Sequence, residues 1–350
     1  MPTLTSNSDP DYVLQILDDV RDQIAVDDYD LSETKARRNL VKRVARKFEG
    51  ALKTFDSGSV AHGTVNKPVS DADGGVVLDR RTYPDLGPDG ENEPPDDIVQ
   101  AVADFVIAGV REEYPNATAE VTKRAIMIRF NTPLDNDQDP SVDLVVALTR
   151  VEGKGRWIPN TEDHDWDASD PEAHTELLNG PTKAARIHRA RVIRLAKAAV
   201  KQDETPVVSS FNIEALALDH VDEDDTIAES LRDLFLGAAD DLAEGDTPDP
   251  AGVSDPIKLP EGIARENAVD RLRRFGEKVA EAIDDSDDAD RVRAALAEVF
   301  PDYVDAKPSD KRRFADALSV GDKAAVGATL GTGGSSLKRT SAYGEDGSAS

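Results

Sequence analysis

The stretch FDSGSVAHGTVNKPVSDADGGVVL, residues 55 to 78, constrains this chain more than any other, because two carboxylates stand two positions apart on a run that reads as a β-strand. Side chains alternate across a strand, so Asp71 and Asp73 share a face while Ala72 points the other way. Like charges held this close need a compensating cation, and the hard, oxygen-preferring Mg²⁺ is the usual one. Upstream, Gly58-Ser59 opens a small-residue turn, GSVAHGT, whose backbone N–H groups can cradle phosphate oxygens. A third carboxylate facing the same way from a neighbouring strand would strengthen a metal site, and SVDLVVAL supplies Asp143 between Val142 and Leu144. The β-like run AIMIRF precedes it, and the polar NTPLDNDQDP between them reads as a hairpin connection that lets Asp143 sit beside the first pair.

A lone Asp-x-Asp reads as a solvated acidic strand end, so the ordered set carries the functional signal. Gly-Ser, eleven intervening residues, Asp-x-Asp and a later apolar-flanked Asp resemble the signature of the DNA polymerase β-type nucleotidyltransferase superfamily. The form GSVAHGT resembles the template-independent branch that holds poly(A) polymerases, CCA-adding enzymes, oligoadenylate synthases and cyclic GMP-AMP synthase-like enzymes. Further on, WDASDPEAH (166–174) resembles the W-x-x-S-x-P-x-x-H segment joining the lobes of the SMODS-type CD-NTases, the cyclic dinucleotide and oligonucleotide synthases. RLAK (194–197) followed by SSFNIE (209–214) resembles their RLxK helix and SSFxLE loop.

The resemblance covers residues 40 to 320 in motif order and implies an α+β fold: a polymerase β-type nucleotidyltransferase lobe, with a mixed sheet and helices, plus a C-terminal helical lobe. The division it suggests is an N-terminal helical segment 1–30, a catalytic lobe 31–155, a helical nucleotide-binding lobe 156–320 and a disordered tail 321–350. It implies that Asp71, Asp73 and Asp143 are the catalytic, metal-binding residues for two Mg²⁺, with Mn²⁺ as a substitute. Gly58, Ser59, Lys197 and Ser210 would bind the donor triphosphate, with Ser209 as the near alternative to Ser210. The substrates implied are NTPs, ATP or GTP, and the product is a cyclic or short oligonucleotide messenger released with pyrophosphate. The resemblance also implies antiphage signalling beside effector or regulatory proteins of a defence operon.

Composition bears on the acceptor. Asp and Glu number 70 against 42 Lys and Arg, a net charge of −28, so the surface offers no broad basic track for RNA. That balance suggests an intracellular protein of a salt-accumulating halophile, with an acidic mesophilic protein as the alternative. The absence of cysteine excludes disulfides and thiolate metal sites, and the five His form no close ligand pair. With no leader pattern and no apolar run of about twenty residues, the expectation is a cytoplasmic protein with no membrane partner. A CCA-adding, poly(A)-like or protein-directed transferase remains the alternative, supported by two basic helices.

The first helical pattern, Tyr12 to Ile24, faces Val13, Ile16, Leu17, Val20 and Ile24 inward. The second starts after Ser32 as N-cap and runs to Leu52; its cluster of Lys and Arg reads as a solvated face or a nucleic-acid contact. DRRTYPDLGPDGENEPPDD (79–97) reads as a long surface loop, either a lid or a mobile insertion, with Asp96 or Asp97 capping the next helix. That helix carries Ile98, Val99, Val102, Phe105, Val106 and Val110 as a core stripe. Trp157 and Trp166 are expected between the lobes. Residues 180–202 carry no acid but seven Lys and Arg, with Arg194, Lys197 and Lys201 at helical spacing, as if facing an anion. Phe211 is expected in the core, and Gly74-Gly75 suggest a bulge or a close approach of substrate to the strand. The helices after Ile227 end near Leu318.

Overall fold

Val76, Val77 and Leu78 are completely buried and form the middle of a mixed sheet in the computed structural model, which describes residues 11–202 and 205–306. Among these residues the sheet has seven strands: β1 (Ala51–Ser57), β2 (Asp71–Leu78), β3 (Thr118–Val121), β4 (Ile126–Arg129), β5 (Ser141–Thr149), β6 (Arg156–Asn160) and β7 (Asp165–Ser169). The order is β1-β2-β5-β4-β3, with β6 pairing β5 and β7 pairing β6, so the sheet continues past residue 155 to Ser169. β2 and β5 run parallel with Asp73 opposite Asp143, and β1, antiparallel to β2, sets Ser57 opposite Asp73. The hairpin expected before Asp143 is β4 and β5.

Alternation along β2 and β5 gives the sheet two different faces. Ala72, Val76, Val142, Leu144 and Val146 turn away from the carboxylates, and most of them meet α2 (Asp28–Ala45) and α4 (Asp96–Val110) in one apolar core. The opposite face carries the acids and a small cluster of Phe55, Val77, Ala147 and Ile158. Helices α1 (Tyr12–Gln23), α6 (Lys183–Val200), α7 (Ser210–His220), α8 (Ile227–Glu244), α9 (Arg265–Asp284) and α10 (Ala289–Val299) enclose a second core. Two short helices, α3 (Gly58–His62) and α5 (Pro171–Asn179), stand between the sheet and that bundle. The α+β fold expected from the sequence is therefore the observed one. The expected helix end near Leu318 and the tail 321–350 lie outside the described residues.

Several local expectations are corrected by packing. α2 begins at Asp28, placing Ser32 inside it, and stops at Ala45, because residues 51–57 are recruited by β2 as an edge strand. Arg43 keeps the expected solvated face, 61% exposed, but two of the arginines leave it: Arg37 is 2% exposed, donates to Asp139, Thr132 O and Pro140 O, and lies over the Phe130 and Tyr114 rings. Arg38 is also buried and, with Lys42, pairs with Asp56 on β1. Neither Asp96 nor Asp97 caps α4; Pro95 occupies that position, both acids lie in the first turn, and the outer residue of the stripe, Phe105, stays half exposed against Phe48.

The 79–97 loop is fixed rather than lid-like. Asp89 accepts from Val151 N and Trp157 Nε1, Trp166 Nε1 donates to Glu93 O, and Leu86 is buried. Both tryptophans thus pack this loop to the sheet instead of filling the space between the lobes. β2 runs through Gly74-Gly75 with its pairing unbroken; the register shift in this pair lies at Ala51/Lys53 of β1. A Cβ on Gly75 would meet the Phe55 ring at 2.1 Å, so the close approach there is made by the protein itself.

Candidate active site between the sheet and the helical bundle

β1 ends at Ser57, and the chain turns at Gly58 with φ +71°. A Cβ there would sit 1.7 Å from Asp73 Oδ2, so both the backbone conformation and the neighbouring carboxylate restrict the position to glycine. α3 follows, closed by Gly63 in the left-handed region, and Thr64 N donates to Ser59 O at 2.9 Å. The turn that resembles a phosphate cradle is therefore pinned at both ends.

Asp71, Asp73 and Asp143 come together as the alternation predicts: one carboxylate oxygen from each lies within 4.8 Å of the others. Burial first, then the charges of Asp71, Asp143 and Glu214, push the Asp73 carboxyl up to about 7 against the pull of Arg38. Asp143 is raised to about 6 by burial and by Asp71, with Arg129 opposing. Asp143 Oδ1 is buried without a hydrogen-bond partner among the described residues. Three crowded carboxylates, two held back from ionising and one with an unpartnered oxygen, fit a hard divalent cation through an all-oxygen donor set.

Asp71 and Asp73 open into a cleft of about 420 Å³ whose walls include Gly58, Ser59, Lys197 and Ser210, so expected site residues from separated segments line one space. Ser209 does not line it. Its Oγ caps α7, accepting from Asn212 N at 3.1 Å and standing 2.6 Å from Asn212 Oδ1, while the Asn212 side chain accepts from Ser209 N. Of the three basic residues at helical spacing, Lys197 and Lys201 line the cleft. Arg194 instead donates to Asn66 Oδ1 and Ile24 O. Phe211, expected in the core, is 36% exposed on the cleft wall, its ring 5.0 Å from that of His174, which is itself held at 2.5 Å by Asp249.

Sequence reasoning missed one feature. Glu214, 5% exposed in an otherwise apolar part of α7, accepts from Lys197 Nζ at 2.5 Å, from Thr64 Oγ1 and from His62 Nδ1 at 3.0 Å. Burial alone would raise its carboxyl, but the His62 hydrogen bond and the Lys197 charge hold it at about 2. Burial pushes Lys197 down, and Glu214 opposes that. The available signal was the single acid in FNIEALAL, which lies too deep in an apolar helix face to be solvated.

This architecture is that of a polymerase β-type nucleotidyltransferase: a mixed sheet presenting three acids beside a Gly-Ser turn, with a helical bundle closing the other side of the cleft. Residues 12–180 match the family described as the Second Messenger Oligonucleotide or Dinucleotide Synthetase domain. That match spans α1 to α5 and identifies a nucleotidyltransferase domain there, similar to those of the CD-NTases. CdnC of E. coli MS115-1, solved with ATP, is similar in fold at 17% identity and TM-score 0.60, over 86% of this chain and 100% of that one. The cyclic AMP-GMP synthase DncV of Vibrio cholerae is similar at 15% identity and TM-score 0.61, over 84% and 96%. The CD-NTase CdnG of Bradyrhizobium diazoefficiens, solved with GTP, gives 15% identity and TM-score 0.60 over 84% and 96%. No curated protein matches the chain in sequence. Among the described residues no helix is long and apolar enough to cross a membrane.

Proposed function

We propose that this nucleotidyltransferase condenses NTPs into a cyclic or short oligonucleotide messenger with release of pyrophosphate. The observation that carries the reading is the convergence of Asp71, Asp73 and Asp143 within 4.8 Å, the first two of them lining a cleft that also holds Gly58, Ser59, Lys197 and Ser210. In this reading Asp71 and Asp73 hold two Mg²⁺ and Asp143 completes the catalytic one. When bound, the ions acidify the acceptor hydroxyl, polarise the α-phosphate and stabilise the leaving pyrophosphate. The chain's own residues orient and neutralise: backbone N–H groups after Gly58 and the Ser59 hydroxyl cradle the triphosphate, Lys197 and Ser210 approach it from the helical lobe, and Phe211 offers a ring to the base. The acceptor hydroxyl gives up its proton to solvent as its oxygen bonds the α-phosphorus, and the bond from that phosphorus to the bridging oxygen breaks as pyrophosphate leaves in line.

A nucleotide acceptor is favoured over RNA because several cations in the two basic helices already have protein partners. Arg37, Arg38 and Lys42 are tied to Asp139 and Asp56, Lys197 to Glu214, and Arg194 to Asn66 and Ile24 O. CdnC is known in a complex with a HORMA protein, and a regulatory partner of that kind, with an effector responding to the product in antiphage defence, belongs to the same proposal. The test is mass spectrometry of products from all four NTPs with Mg²⁺ or Mn²⁺, in the molar KCl that a net charge of −28 and a halophilic, cytoplasmic setting suggest, beside an Asp71→Asn, Asp73→Asn control. A cyclic or short oligonucleotide absent from the control is the expected product. Label transferred only to added tRNA or protein overturns the reading.

A further inference from the structure

Glu214 joins parts that are far apart in the chain. It stands one turn into α7, yet its carboxylate receives the Lys197 ammonium of α6 and, from the sheet side, the Thr64 hydroxyl and the His62 ring at the two ends of Gly63. His62 Nε2 lies 3.1 Å from Thr175 Oγ1 on α5, so four segments meet around one acid. Thr64 in turn is bonded through its backbone N–H to Ser59 O, which carries the restraint into the turn that cradles phosphate.

Hydrogen-bond capacity defines what this arrangement can do. An ammonium has three N–H donors. Lys197 directs one to Glu214 Oε1 at 2.5 Å and one to Thr64 Oγ1 at 3.1 Å, and it lines the cleft, leaving one donor for a ligand there. With both partners fixed, the direction of that donor is fixed as well. Glu214 also supplies the counter-charge that favours the ammonium at 3% exposure, where burial opposes it.

We propose that Glu214 is a positioning residue for the donor nucleotide: its carboxylate locks Lys197 and the Gly58–Thr64 turn across the lobe interface so that both reach the same triphosphate. The proposal rests on the reading of Lys197 and Ser59 as triphosphate ligands.

The experiment is equilibrium binding of the α,β-methylene triphosphates of the four nucleosides, with Mg²⁺, and of the corresponding monophosphates. The proteins are the wild type, Lys197→Ala, Glu214→Gln and the double variant, each checked for folding. Loss of one charge-assisted, buried contact predicts that Glu214→Gln weakens the tightest triphosphate by about tenfold to a hundredfold. It should leave the monophosphate unchanged, since Lys197 and the turn hold the phosphates beyond the first, which a monophosphate lacks. Adding Glu214→Gln to Lys197→Ala should cost little more, because the two act as one unit. If Glu214→Gln does not fold, Thr64→Val carries the test, since it removes the one hydroxyl that faces both Glu214 and Lys197. Equal weakening of tri- and monophosphate, or no weakening, overturns the proposal while leaving Lys197 a ligand. An unchanged triphosphate affinity in Lys197→Ala overturns the reading of Lys197 itself, and the proposal with it.

Discussion

Stripping divalent cations should make this protein less stable as the pH rises, and the size of the effect follows from Asp73. In the folded chain its carboxyl titrates at about 7 instead of 3.8, through burial first and then the charges of Asp71 and Asp143. A carboxyl raised on folding favours the folded state where it is protonated. The contribution is complete below about pH 4 and is lost as the pH climbs through about 7. About three pH decades at about 1.36 kcal/mol each give about 4 kcal/mol, an upper value because Asp73 retains some solvent contact. Asp143, raised to about 6, acts in the same direction. Glu214, held at about 2 against an ordinary 4.5, gives an opposite slope only at the acid end, and His188, lowered by burial, acts in that same opposite direction. Comparison with Asp73→Asn cancels such background. Urea unfolding in EDTA and molar KCl should find the variant and wild type closest in stability near pH ~4, and the variant more stable by up to about 4 kcal/mol near pH ~8. Mg²⁺ should then restore the wild type and leave the variant unchanged. A difference independent of pH, or a wild type that gains stability on alkaline, metal-free titration, would refute the reasoning.

Other substitutions separate site from scaffold. Gly58→Ala places a Cβ 1.7 Å from Asp73 Oδ2 at a positive φ, and pyrophosphate release should fall at least about a hundredfold in a steady-state assay while the fold survives. Ser209→Ala removes a helix cap and should lower stability by about 1 kcal/mol with nucleotide affinity unchanged, whereas Ser210→Ala should do the reverse, measured by urea unfolding beside nucleotide titration. Arg37→Met breaks a buried contact to Asp139 and two carbonyls and should cost about 3–5 kcal/mol in the same unfolding assay. Gly75→Ala collides with the Phe55 ring at 2.1 Å and should cost about 1–3 kcal/mol, a loss that Phe55→Leu partly relieves in the double variant.

Much of the scaffold was legible because it follows from local periodicity. The stripe Val13, Ile16, Leu17, Val20 marks α1, and Leu231, Leu234, Phe235, Ala238 and Leu242 recur at the same helical spacing and are buried in α8. The alternation that sets Asp71 and Asp73 on one face is a property of any strand, and the apolar flanks of Asp143 determined which strand would join them. The errors fell where neighbours override the local pattern. A helix could have run to Leu52, but residues 51–57 found a better partner in β2. Phe211 lies on an apolar helix, yet it sits at the rim of the cleft beside His174.

The sequence by itself determined which groups the site contains and in what order along the chain: a Gly-Ser turn, an Asp pair, a third Asp, and later a Lys and a Ser. These are matters of residue type and spacing, and backbone geometry turns spacing into a shared face. Only the tertiary structure decided how the cations are used. Arg37 meets an acid 102 residues away, and His62 of the turn meets Glu214 across 152 residues. Nothing local selects such partners among 70 acids. The selection is made by burial, since a charge withdrawn from water is held where the fold brings an opposite charge to it.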